Sequence, residues 1–134
     1  PSFRDASLGA RLTATANSLH GSIQIARSEA IKANATTTLC ASSDGETCED
    51  VDWDRGWLVL DANDVIIHSE PEQPAGYRVV SDEIELSFQP IGVGASAASF
   101  VVCRDEPVGS QERVVTVTAT GIAHVTTTES GVCP

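Results

Sequence analysis

From Leu8 onward, apolar residues fall at Leu8, Leu12, Ala16, Leu19, Ile23, Ala26 and Ala30. Steps of three and four mark one face of an α-helix. The pattern predicts a helix over about Ala6 to Ala33, roughly 40 Å long at its usual rise. A single domain built from 134 residues does not cover that length, so part of the helix is expected to project. Leu8, Gly9, Leu12 and Ala16 are expected on the projecting half, and Leu19, Ile23, Ala26 and Ala30 are expected to pack against the rest of the chain.

After Asn34 the period changes. Thr36 to Ala41 is rich in Thr, and later segments are β-branched and bounded by turn residues, which predicts strands at Gly56–Asp61, Val65–Ser69, Tyr77–Val80, Glu83–Phe88, Ser99–Arg104, Arg113–Thr118 and Ile122–Thr127. Ala62-Asn63 suits a tight hairpin because Asn tolerates positive φ. Ile84, Leu86 and Phe88 alternate with Glu83, Glu85 and Ser87, a strand with one buried and one wet face. The expected class is α+β, a long N-terminal helix laid on a largely antiparallel sheet. The chain reads as one domain, 1–134, with 1–35 helical and 36–134 forming the sheet.

Charge divides along the same boundary. Arg4, Arg11, Arg27 and Lys32 against Asp5 and Glu29 leave residues 1–35 at +2, so residues 36–134 carry −13 of a net −11. A surface this acidic disfavours nucleic acid as a partner. Cys40, Cys48, Cys103 and Cys133 include no CxxC and no Cys/His ligand set, and read as two disulfides in an oxidising compartment. Cys40 and Cys48 flank a seven-residue loop, and Cys103 lies on a predicted strand that can meet Cys133, so the expected pairs are Cys40–Cys48 and Cys103–Cys133. No run of about 18 apolar residues is present. Pro1 opens the sequence without a Met and leads directly into the helix, as in a chain cut from a longer protein.

Candidate chemistry is sparse. Asp50, Asp52 and Asp54 alternate as in a calcium loop, but the sixth and twelfth places counted from Asp50 hold Arg55 and Asp61 instead of Gly and Glu. A solvated loop is the reading. Gly92-Val93-Gly94-Ala95-Ser96 lacks the Lys of a phosphate loop and reads as a flexible connection. His20, His68 and His124 are far apart, with no Ser or Cys nucleophile motif. Arg27 and Glu29, two apart, lie on different helix faces. No catalytic, cofactor or metal site is expected. Trp53, Gly56 and Trp57 read as packing residues rather than a sugar-stacking platform, and Asn34-Ala35-Thr36, formally a sequon, reads as a helix end.

The ordered set Ala26-Arg27-Ser28-Glu29-Ala30-Ile31-Lys32, Leu39-Cys40, Asp44-Gly45, Cys48, Trp53, Gly56-Trp57, Val59, Asp61, Phe88, Pro90, Gly92 and Gly121 resembles the GspH/FimT family of type IV minor pilins and type II pseudopilins. The resemblance implies a type IV pilin-like fold and a non-enzymatic assembly subunit. It also implies an apolar anchor in the bacterial inner membrane preceding this chain, a periplasmic location before entry into the filament, and partners among other minor pilins and the major pilin. Gly9 and Gly21 are then sites for close helix packing or for making room against the sheet. Within the family it is nearest the minor pilins that prime and cap the pilus, whose role supports twitching motility and adhesion. A secretion pseudopilin is the first alternative. The DNA-uptake branch carries a basic Gly-Arg-x-Arg near its C-terminus where this chain has Gly121-Ile122-Ala123-His124, which leaves that branch without its phosphate-gripping residues. The isolated chain is expected to be soluble and monomeric.

Overall fold

A computed structural model describes residues 3–90, 97–105 and 108–134, with side chains from residue 9 onward in the helix. The expected Gly92–Ser96 connection and the Leu8 side chain lie outside the described residues. Helix α1 spans Phe3–Ala33. It stops in a Schellman arrangement, with Asn34 at φ 50° and the Ala35 N–H donating to the Ala30 carbonyl at 3.2 Å. The Asn34 sequon position is thus a helix C-cap.

Among the described residues eight strands follow: β1 Thr37–Ala41, β2 Trp57–Leu60, β3 Ile66–Glu70, β4 Tyr77–Ser81, β5 Glu85–Phe88, β6 Ala98–Arg104, β7 Glu112–Val117 and β8 Ala123–Thr128. They form two antiparallel sheets, not one, in the orders β3-β2-β1-β5 and β4-β6-β7-β8. The Thr-rich segment after the helix, not assigned as a strand from sequence, is β1. It is an interior strand of the first sheet, paired to β2 and β5.

The sequence pattern misplaces two further details. Positive φ in the β2–β3 connection falls on Asp64 (61°), not on Asn63. Asp61 organises this turn, its Oδ1 accepting the N–H groups of Asn63 and Val65 at 2.8 and 2.9 Å. On β5, Leu86 and Phe88 are buried, but Ile84 precedes the strand and is exposed. Its carbonyl still accepts the Ala41 N–H, but its side chain lies beyond the end of the covered strand.

Helix and sheets enclose the main core, and Cys40, Leu58 and Leu60 form a second, smaller buried cluster. Leu12, Ala16, Leu19, Ile23, Ala26 and Ala30 from α1 join Leu39, Val59, Leu86 and Phe88 from the first sheet and Val79, Phe100, Val102, Val115 and Val117 from the second. Leu12 (3% exposed) and Ala16 (0%), expected on the projecting half of the helix, are therefore internal residues. Among the described side chains, the cover of α1 thus begins at Leu12 instead of at Leu19.

Candidate assembly interface

The Trp-x-x-Gly-Trp stretch is the joint between the three layers. A single 3-10 turn, Trp53–Arg55, leads into β2. Trp53 packs edge-on against Phe100 of the second sheet, with ring centroids 4.8 Å apart, and lies 6.5 Å from Trp57. Both indoles are buried and both N–H groups are satisfied. Trp53 Nε1 donates to the Glu83 carbonyl at 2.6 Å, and Trp57 Nε1 donates to Ser22 Oγ on α1 at 2.9 Å. Between them Gly56 has φ 126°, and a Cβ there would sit 2.8 Å from both the Glu70 and Ser42 carbonyl oxygens. Glycine is required at that place.

Cys40 is bonded to Cys48, and Cys103 to Cys133. The shorter loop is ordered from within. Asp44 accepts the N–H groups of Thr47 and Glu46, the Thr47 hydroxyl and the Ser42 hydroxyl, and these bonds, led by that from the Thr47 N–H, hold its carboxyl well below the usual range. Glu49 accepts the Ser43 N–H and hydroxyl and the Asp44 N–H, which lower its pKa. The longer loop is closed by a residue that the sequence did not single out. Glu112 is 2% exposed. Its Oε1 accepts the Thr128 hydroxyl and the Ser130 N–H and hydroxyl, while Oε2 accepts the Gly131 N–H. Burial raises the Glu112 pKa, yet the hydroxyls of Thr128 and Ser130 and the tail N–H groups outweigh it, and the net direction is down. Its cover is thin, consisting of the tail it holds. A Glu inside a β-branched strand reads as a solvent-facing residue, and the Thr128–Gly131 groups that contradict that reading lie sixteen or more residues away.

Asp50, Asp52 and Asp54 do not converge. Asp52 pairs with Arg78 at 3.3 Å, and half-buried Asp54, its pKa raised by burial, accepts the Val79 N–H. Among the described residues no group of three or more His, Cys, Asp or Glu side chains could hold a metal ion. His20, His68 and His124 lie on α1, β3 and β8, and Arg27 forms no ion pair with Glu29 among the described residues. No described helix is long and apolar enough to cross a membrane.

On α1 the uncovered side presents Ala10, Ala14 and Asn17, all short side chains at helical spacing. A Cβ on Gly21 would meet nothing within 4 Å, and one on Gly9 would meet only the Arg113 guanidinium, at 3.7 Å. Neither glycine makes room for a sheet. Arg113, from β7, reaches across to α1, donating to Thr13 Oγ1 and the Gly9 carbonyl at 3.2 and 3.4 Å.

The family described as "Type II transport protein GspH" matches residues 15–121. The chain belongs to the GspH family. Among curated protein sequences nothing matches. Among solved structures, the type IV minor pilin FimU of Pseudomonas aeruginosa superposes with a TM-score of 0.68 at 18% identity, over 86% of this chain and 92% of that one. A second crystal form of FimU gives 0.68 at 19%. The minor pseudopilin EpsH of the Vibrio cholerae type 2 secretion system gives 0.65 at 12%, over 87% and 96%. The fold of this GspH-family chain is the type IV pilin-like one, and its family and fold are those of structural pilins and pseudopilins.

Proposed function

We propose that this chain is a minor pilin that takes part in initiating a type IV pilus and sits in its tip complex, supporting twitching motility and adhesion. The observation that supports it best is the course of α1. The helix runs unbroken from Phe3 to Ala33, and Leu12 is the first of its described side chains to enter the core, so the same helix that packs on the sheets continues N-terminal to that point. It leaves a narrow face of Ala10, Ala14 and Asn17 uncovered, where another helix can approach closely. Leu8 and Gly9, on the helix ahead of Leu12, are contact residues in this reading. In this reading an apolar anchor precedes the chain in the inner membrane, the body lies in the periplasm before extraction, and other minor pilins and the major pilin pack against α1 and the sheets. The isolated body is monomeric, because the anchor supplies the local concentration that weak lateral contacts require.

Likeness to a secretion pseudopilin favours one second reading, a subunit of a type II secretion filament. Deleting the gene and restoring it on a plasmid separates the two. Loss of surface pili and of twitching, with protein export intact, is the outcome expected of a pilus initiator. Normal pili with lost export would overturn it in favour of the pseudopilin.

A further inference from the structure

The chain holds 19 acidic residues and eight basic ones, so an arginine left without a carboxylate is conspicuous. Arg55 pairs with Glu72, and Arg78 with Asp52 and Asp105. Arg113 spends its donors on neutral acceptors of α1 and on the Gln111 side chain and Glu112 carbonyl beside it. Arg11 and Arg104 differ from these. The Arg11 guanidinium carbon lies over the Tyr77 ring at 5.9 Å from its centroid, and that of Arg104 lies over the same ring at 4.8 Å. The two cationic heads are therefore within about 11 Å of each other. Neither makes an ion pair with a described residue, and the buried Arg104 Nε has no hydrogen-bond partner. Contact with the ring face does not consume the N–H donors of either guanidinium group, which leaves them for bidentate capture of a carboxylate.

The pair is held by three separate elements: Arg11 by α1, Tyr77 by the first residue of β4 and Arg104 by the last residue of β6, whose positions are in register. Beside Arg11 opens a cleft of about 300 Å³ between α1 and the 70–74 segment. Glu70 and Glu72 line that cleft, yet neither comes within salt-bridge distance of Arg11, and Glu72 is engaged by Arg55. Among the described residues, therefore, no carboxylate neutralises this local positive charge.

We propose that Arg11 and Arg104, gathered over the Tyr77 ring, form a receptor for an Asp or Glu side chain of the subunit that packs beside α1 in the filament. This rests on the assembly reading above and adds the chemistry of the contact. A carboxylate is favoured over a nucleic-acid backbone because duplex binding draws on many phosphates at once, whereas two guanidinium groups in a field of −13 suit one or two acidic side chains.

Lys32 is the chain's single lysine, which makes a chemical test clean. Arg11→Lys and Arg104→Lys would be introduced into the full-length protein in cells that assemble the filament, and intact filaments treated with a zero-length carbodiimide, which joins an amine to a carboxylate in direct contact. The expected result is a linkage, located by mass spectrometry, from position 11 or 104 to an Asp or Glu of a different pilin subunit. The double variant Arg11→Gln/Arg104→Gln, with an unchanged thermal melt, should enter filaments less well than the parent. Linkages confined to the same chain, or none while the protein is present in the filament fraction, would overturn the receptor and leave the assembly reading standing. Absence of the unaltered protein from filaments would overturn the assembly reading itself. A duplex-DNA shift abolished by the Gln pair would overturn the receptor in favour of nucleic acid.

Discussion

Trp57 on β2 donates its indole N–H to Ser22 on α1, and Ser22 in turn donates to the Ser18 carbonyl one turn back. Both side chains are buried, so the bond has no water to replace it. Ser22→Ala should destabilise the protein by about 1–3 kcal/mol, the cost of a buried donor left without a partner, despite the better helix propensity of Ala. Trp57→Phe removes the donor as well, so in a double-mutant cycle followed by urea unfolding the two changes should be less than additive.

Gly56→Ala should be among the most damaging single-methyl changes in the chain. Its left-handed φ costs about 1–3 kcal/mol for a residue with a Cβ, and the two carbonyl oxygens at 2.8 Å belong to backbone that cannot swing aside. Thermal unfolding followed by circular dichroism would measure it. A change of less than a few degrees in Tm would show that the β1–β2 and β3–β4 connections yield.

Glu112→Gln should loosen the C-terminal tail. One amide oxygen can still accept from Thr128 and Ser130, but the amide nitrogen then faces another donor, the Gly131 N–H, and the loss should be about 1–3 kcal/mol. Because the folded Glu112 carboxyl lies below its ordinary value of 4.5, its stabilisation is fully present above that value. It is lost as pH falls through the folded pKa, since the unfolded chain takes up the proton first. The gap between wild type and variant in chemical denaturation should therefore close on acidification below about pH 4.5. Asp54, whose pKa is raised, acts in the opposite sense, so the comparison is made between the two proteins at each pH.

Of the two disulfides, Cys103–Cys133 closes a separation of 30 residues and Cys40–Cys48 one of 8. On the loop-entropy account the first contributes about 3–4 kcal/mol and the second about 2–3. Paired Cys→Ser replacements should reproduce that order in urea midpoints. The Asp44 and Glu49 hydrogen bonds that order the short loop should keep it in place after its bridge is removed, which resistance of the 41–49 segment to proteolysis would report.

Double-stranded DNA should not bind usefully at about 0.15 M salt. Arg113, the strand arginine best placed to serve a DNA-binding face, is occupied by α1, and the two arginines beside Tyr77 would release too few counterions. A fluorescence titration giving a low-micromolar constant that weakens steeply with added salt would contradict this.

The helix was legible because its apolar positions keep one period through Ala30, and β2 to β8 were legible within about two residues because β-branched runs are separated by turn residues. Thr37–Ala41 escaped because Thr and Cys carry a weak alternating pattern, and its burial on both faces comes from neighbours distant in sequence. Leu12 and Ala16 were placed outside the body because periodicity gives the buried face of a helix but not how far along it the cover extends. Glu112 and the Arg11–Tyr77–Arg104 cluster depend on strand register and on a helix crossing, neither of which leaves a local trace.

The route by which α1 hands over to the sheet has a mechanical meaning. After the cap at Asn34, Thr37 opens β1 and donates its hydroxyl back to the Ala26 carbonyl at 2.6 Å. β1 is hydrogen-bonded to β2 on one side and β5 on the other. Tension drawn along the helix meets this bond and the Trp57–Ser22 bond from the side, in shear, and any load reaching Thr37 divides between two ladders instead of peeling one strand at a time. A subunit pulled by its helix would thus resist as a block.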